Sequence, residues 1–413
     1  MKITDVRTIL LTGPSTNDPF LKEARKRRSA AFIEIHTDTE LIGLGETYAG
    51  YFCPELIPTI VEYFKPILMN KTIDNIDKLW REMYYCENFW CRSGVGLIAL
   101  TGIEAALWDL KGKMYKMPVY ELLGGCKHDK VFVYATGGPS NFPIDKLFQK
   151  IEFYASLGFQ CMKVGAGEYY VDDGSGEGNG YNKYSLVPHI AAEIEYNKVR
   201  AIFERFGNEF GICLDGHMNN PGMSTDTWSL GAAKAVLKAL EPFNLRFFEE
   251  PLHYNLANEY AELCASTSIT VAGGECLAGA HEWKLYVEKD CFDMGQPDAA
   301  FVGGIGEFMK IAALLESRGG TIAPHSWAAG GGFMQNVHAA FAAGNTAILE
   351  IAPAYGPLHS EIIGDSFIMK DGYVYPPEKP GLGIELSEKT KERYPFQPGS
   401  GEFNSVSGKV LVD

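Results

Sequence analysis

The reading of this chain turns on four short runs near its middle: GICLD at 211–215, RFFEEP at 246–251, ITVAGGE at 269–275 and MGQPD at 294–298. Each opens on apolar or β-branched residues, is too short for a stable helix, and reaches an acid at or near its end. The segments between them carry helical spacing. Strand–helix alternation at roughly 30 residues per unit implies parallel βαβ units. Working outward, the same kind of run occurs at 131–136 and 161–165 on one side and at 319–325 and 347–351 on the other. Eight such units close a barrel more naturally than they extend an open sheet. The expected fold class is α/β, a modified TIM (β/α)8 barrel.

The two ends of the chain read differently. Residues 2–11 and 31–36 alternate as strands, and 54–115 reads as helices, with Ile98, Leu100, Ile103, Ala106, Leu107 and Leu110 near helical spacing. Pro118 and Gly124-Gly125 punctuate the end of this part. Strands followed by helices predict a separate α+β domain at 1–125. The barrel occupies 126–362, and a turn-rich C-terminal segment runs over 363–413. An insert after the second barrel strand, 170–184 (YVDDGSGEGNGYNKY), reads as a loop at the barrel mouth.

Bulk properties narrow the function. The 413 residues are 46% hydrophobic and 22% charged, an ordinary globular balance with ample length for a large core. A net charge of −15 argues against nucleic acid as a partner, though a bound metal can still draw an anionic small molecule. The start has no signal-peptide core and no stretch approaches 18 apolar residues, so no membrane is expected and the cytoplasm is. Nine scattered cysteines without a CxxC pair read as reduced thiols inside a cell. The one basic run, 22–28 (KEARKRR), reads as a solvated surface face.

Chemistry gathers at the C-terminal ends of the barrel strands: Lys163, Asp215, Glu249-Glu250, Glu275, Asp298, His325 and Glu350. Barrel active sites form at that face, from several strands at once. Asp215, Glu249 and Glu275 come from adjacent strands and would repel if they converged, at high cost when buried. A hard divalent cation resolves the repulsion, and oxygen-only ligation suits Mg2+.

Taken together, these residues resemble the enolase superfamily, in its mandelate racemase subgroup. In the first domain the resemblance rests on Gly102-Ile103-Glu104-Ala105-Ala106-Leu107-Trp108-Asp109 and on Pro118-Val119 through Leu122-Leu123-Gly124-Gly125. In the barrel it rests on Leu214-Asp215, Phe248-Glu249-Glu250-Pro251, Gly273-Gly274-Glu275, Gln296-Pro297-Asp298 through Gly303-Gly304-Ile305, and Ala323-Pro324-His325. It covers nearly the whole chain and lies in the order and spacing of the motifs. It implies that the first domain and the C-terminal segment together cap the barrel. It also implies that Asp215, Glu249 and Glu275 hold Mg2+, with Glu250 behind them, and that loops at 12–27 and 47–53 set specificity. Homo-oligomers are common in the resembled family, and a homo-oligomer is expected here.

The resemblance implies removal of the proton beside a substrate carboxylate. His325 matches the base, with Asp298 accepting a hydrogen bond from its ring. Where many members carry Lys-x-Lys, this chain reads Lys163-Val164-Gly165, so a second base is missing and Lys163 is left as a substrate-carboxylate contact. With one base, expelling a neighbouring group is favoured over racemisation. Asp215-Gly216-His217 resembles the Asp-x-His motif of sugar-acid dehydratases, galactonate-type enzymes among them, where the His protonates a leaving hydroxyl. His217 has a plainer reading as support for Asp215. Glu350 matches a contact to the substrate carboxylate, whose charge would favour its protonated form, or is a rim acid. Trp327 lines the pocket or only packs. The expected activity is dehydration of an aldonate or aldarate to a 2-keto-3-deoxy acid. An epimerase, racemase or cycloisomerase of the same superfamily is the runner-up, and a non-catalytic binding protein the third reading.

Overall fold

The computed structural model describes residues 1–21, 26–86, 88–137, 142–167, 186–219 and 227–399. The insert at 170–184 and residues 22–25 of the basic run lie outside them.

The N-terminal domain opens with an antiparallel sheet of β1 (Ile3–Pro14), β2 (Arg27–Thr37) and β3 (Ile42–Thr47), in that order. β3 was not foreseen, because Gly43 and Gly45 weaken its strand signal. The structure shows why glycine stands there. A Cβ on Gly43 would lie 2.1 Å from the Ala106 carbonyl oxygen, and one on Gly45 would lie 2.3 Å from that of Gly102. The strand thus lies directly on the helix Val95–Tyr115, which is buried on most of its circumference. Two acids of that helix tie the domain to the rest of the chain. Glu104 accepts the backbone N–H groups of Ile305 and Gly306, each at 2.9 Å, at the start of a barrel helix, and Trp108 Nε1 at 2.6 Å. Asp109 accepts Leu44 N and Leu382 N, each at 2.8 Å. A carboxylate at a helix N-terminus satisfies donors that the helix itself leaves unpaired.

The barrel comprises β4 (Val131–Thr136), β5 (Cys161–Gly165), β6 (Gly211–Asp215), β7 (Phe248–Glu249), β8 (Val271–Gly273), β9 (Met294–Gly295), β10 (Thr321–Ile322) and β11 (Leu349–Ile351). Neighbours from β4 to β10 pair in parallel, and β11 pairs in parallel with β4. The ring closes through a parallel bridge of Ile322 with Thr346, where Ala347 N donates to Ile322 O at 2.9 Å. A short hairpin of β12 (Met369–Lys370) and β13 (Tyr373–Val374) adds to the start of β4. The C-terminal segment therefore touches the barrel before it returns to the cap, where Thr12 N donates to Tyr394 O at 3.2 Å.

One layer of the barrel interior is apolar: Tyr134, Cys161, Cys213, Phe247, Ala272, Met294, Ala323 and Ile348, one from each strand or its edge. Side chains repeat their direction every second residue along a strand. Two residues further on stand Lys163, Asp215, Glu249, Gln296, His325 and Glu350. The polar layer therefore sits on an apolar floor, at the C-terminal mouth. Among the described residues no helix is long and apolar enough to cross a membrane.

Candidate active site

Lys163 is the hub of the layer. Its ammonium lies 2.9 Å from both oxygens of Glu249, 3.0 Å from Asp215 Oδ2 and 3.1 Å from Glu350 Oε1. Burial disfavours its charge, yet Asp215, Glu249 and Glu350 raise its pKa well above the ordinary lysine value. Lys163 is a fixed cation, suited to holding an anion and unsuited to taking a proton.

His325 and Asp298 form the predicted pair. His325 Nδ1 is 2.8 Å from Asp298 Oδ2, and Nε2 faces Glu275 at 3.5 Å and Glu350 at 4.0 Å. Burial opposes the imidazolium, but Glu275, Glu350 and Asp298 push its pKa up to about 10. The other oxygen of Asp298 is also committed. It accepts Ala300 N at 2.7 Å and Asn336 Nδ2 at 2.8 Å, while Asn336 Oδ1 accepts Ala299 N at 2.8 Å. Both ends of the Asn336 amide are thus engaged, and the free oxygen of Asp298 is aimed at the ring. Asn336 escaped the sequence reading because it lies on the buried helix Gly331–Ala342 and carries no motif.

His217 Nε2 lies 3.2 Å from Asp215 Oδ2, and its backbone N–H donates to Asp215 Oδ1 at 2.9 Å. It adopts φ +46°, and Glu250 adopts φ +44°. Left-handed backbone is uncommon for such residues and clusters at functional sites. Burial works against the charge of Asp215, but His217 and Lys163 hold its pKa below the ordinary value. Glu350 is likewise held low against its burial, by Lys163 and His325, and it accepts Ser326 N at 2.7 Å. Here Glu350 faces two cations; its protonated form was expected only beside a substrate carboxylate.

Does this donor set fit a divalent cation? Burial first, then neighbouring acids, push Glu249 and Glu250 well above the ordinary carboxylate pKa. Glu250 Oε2 is buried without a hydrogen-bond partner. Crowded acids that resist ionisation are what a cation would relieve, so the set fits. The tightest potential ligand cluster among the described residues is Glu250, Glu275 and Cys276, with ligand atoms within 4.8 Å of one another. It shares Glu275 with the expected triad. Asp215 and Glu249, the other two expected ligands, gather instead around the Lys163 ammonium. Gln296 joins the layer too, fully buried and with neither end of its amide hydrogen-bonded among the described residues.

The cap closes the mouth with aromatic rings. Tyr48 stacks on Tyr51 at 5.5 Å, and its ring lies 5.6 Å from that of His325. Trp327 Nε1 reaches Tyr51 Oη at 3.2 Å, so Trp327 belongs to this wall. Glu46 accepts Ala329 N and Gly332 N, each at 2.8 Å, and fastens the segment that follows His325. From the other predicted cap loop, Asn17 N donates to Ala354 O at 2.7 Å, just beyond β11. The basic run needs correction. Its last residue, Arg28, is buried, because β2 has begun and alternation turns that side chain inward.

Comparison with known proteins follows the same outline. Residues 10–124 match the N-terminal domain model of mandelate racemase / muconate lactonizing enzyme, and residues 148–390 match the enolase C-terminal domain-like model. The chain is 29% identical to arabinonate dehydratase of Saccharolobus solfataricus over 402 residues, 95% of this chain and 99% of that protein. It is 32% identical to D-galactonate dehydratase of Xanthomonas oryzae pv. oryzae over 371 residues, 88% of this chain and 90% of that protein. Among solved structures, the 3,6-anhydro-D-galactonate cycloisomerase from Zobellia galactanivorans superposes with a TM-score of 0.79 at 26% identity, over 95% of this chain and 99% of that one.

Proposed function

The chain belongs to the mandelate racemase/muconate lactonizing enzyme family of the enolase superfamily, and on that premise we propose that it dehydrates a sugar acid, an aldonate or aldarate, to a 2-keto-3-deoxy acid. The observation that carries the reading is a single oriented base, His325 held by Asp298 at 2.8 Å, with Gly165 where a second base would stand.

His325 Nε2 is the ring nitrogen turned away from Asp298, toward Glu275. A cation held by Glu275 would remove the charge that favours the imidazolium, and the neutral ring would then take the proton from carbon 2 while Asp298 stabilises the imidazolium that forms. Lys163 holds the substrate carboxylate as charge builds on it, and Glu350 orients Lys163. His217, on the Asp215 side of the site, gives a proton to the hydroxyl leaving carbon 3. The resulting enol ketonises. Asp215, Glu249 and Glu275 are the residues proposed to hold Mg2+, which when bound supplies positive charge to the carboxylate and lowers the cost of its dianionic form. The aromatic cap and the apolar floor exclude water, which strengthens each of these interactions.

The dehydratases among the relatives support the reaction class. The cycloisomerase neighbour favours a second reading, in which the same base opens the reaction but no water is lost. Incubating the protein and Mg2+ with mono- and diacid sugars, and trapping keto acids with semicarbazide, separates the two. A keto product that disappears in His325→Asn supports dehydration. Solvent deuterium entering carbon 2 without keto product supports the isomerase.

A further inference from the structure

Arg28 joins the aromatic wall as a cation, and it is only 2% exposed. Its guanidinium lies 4.9 Å from the Tyr51 ring centre and 4.2 Å from that of Trp327. Nη1 donates to the Trp327 carbonyl and, at 3.4 Å, to that of Ala328. Nε is buried with no hydrogen-bond partner, and no carboxylate pairs with this guanidinium among the described residues. Ring contacts run from it through Tyr51 and Tyr48 to His325.

A guanidinium cannot lose its proton and presents five donors in a planar fork. Burying one without an anion is costly, and aromatic faces offset only part of that. In a chain of net charge −15 the fold has many acids to spend, yet none among the described residues is hydrogen-bonded to Arg28; Glu46, bonded instead to Ala329 N and Gly332 N, acts on it only at longer range. Two carbonyl bonds and two ring faces instead fix the fork and leave Nε unpaired.

We propose that Arg28 binds a second carboxylate, at the end of the substrate opposite the one held by Lys163, so that the substrate class is a diacid sugar. This inference rests on the sugar-acid reading of the site. Lys163 stands on a barrel strand and Arg28 on a cap strand, and a run of contacts through Tyr51 and Tyr48 links Arg28 to His325. A carboxylate matches the fork and neutralises the buried charge, whereas the hydroxymethyl end of a monoacid does neither. The competing explanation is mechanical: Arg28 merely fastens the segment after His325 to the cap.

The test is calorimetric binding with Mg2+ present, in the His325→Asn background, so that affinity is read without turnover. The probes are galactarate against galactonate and glucarate against gluconate, pairs differing only in the far carbon. The diacid of at least one pair is expected to bind about 10- to 100-fold tighter, the range for a hydrogen bond to a charged group. Adding Arg28→Met should collapse that ratio toward one, and Arg28→Lys, which keeps charge but not the fork, should retain part of it. Equal weakening of diacid and monoacid by Arg28→Met would establish the fastening role and overturn the proposal. So would monoacids binding as tightly as diacids before Arg28 is changed, or no binding of any probe. Binding separates this claim from the reaction itself. An Arg28-dependent diacid preference without keto acid from the unmodified protein leaves Arg28 standing and removes the dehydratase reading.

Discussion

Asn336 offers the sharpest test of how the catalytic pair is held. Replacing it with alanine removes three hydrogen bonds, to Asp298 Oδ1, to Gly332 O at 3.1 Å and from Ala299 N. The Ala299 N–H is left buried and unpaired, and Asp298 Oδ1 keeps only Ala300 N. At about 1–3 kcal/mol for a buried group left unsatisfied, the loss should be about 1–3 kcal/mol, read by denaturant unfolding. The Asp298 carboxylate would then be free to rotate away from His325. Groups that orient a catalytic residue from behind typically matter about 10- to 100-fold. The expected result is a fall in kcat of that size with KM almost unchanged, because the base acts in the transition state and not in substrate binding. Asn336→Asp should be worse than alanine, since it sets a second carboxylate against Asp298. A role in packing alone predicts the reverse order, because aspartate nearly preserves the shape. Unchanged kcat in a destabilised Asn336→Ala protein would refute the reasoning.

Other outcomes follow from the same geometry. His359 is fully buried, and burial first, then Arg28, lower its pKa to about 3. An unfolded histidine titrates near 6.5, so its contribution to stability is complete above that pH and is lost as pH falls toward 3. Between pH 6.5 and 4.5 the loss reaches about 2 kcal/mol; the stability difference between wild type and His359→Asn should shrink over that window, and a constant difference would count against it. Saturating Mg2+ should raise the unfolding midpoint, by about 3 kcal/mol at a hundred times the dissociation constant, and chelation should reverse it. Asp215→Asn should abolish the response, whereas an identical response in that variant would move the ion elsewhere.

Much of the barrel was legible because its strands are short apolar or β-branched runs that alternate with helical segments. Three of the predicted runs, at 131–136, 161–165 and 211–215, coincide with strands, and the later ones shrink to two or three paired residues within the predicted runs. The acids, lysine and histidines of the mouth were legible for the same reason: a charged residue closing an apolar run stands out. What escaped depends on contacts remote in sequence. Tyr48 was only one letter in a cap loop until the fold laid it against His325. Glu46 carried no mark in the sequence, on a strand that was not foreseen, and only the fold shows it gripping backbone nearly 300 residues away. Arg28 was misread because it sits in a basic run, and composition cannot see where a strand begins.

The most direct test of the central claim uses a substrate found by the keto-acid screen and deuterated at carbon 2. If His325 removes that proton in a rate-contributing step, turnover slows by a normal primary isotope effect. The deuterium should pass to solvent in step with keto-acid formation, and His325→Asn should do neither. Keto acid formed with no isotope effect in single-turnover experiments, or formed at an undiminished rate by His325→Asn, would contradict the account.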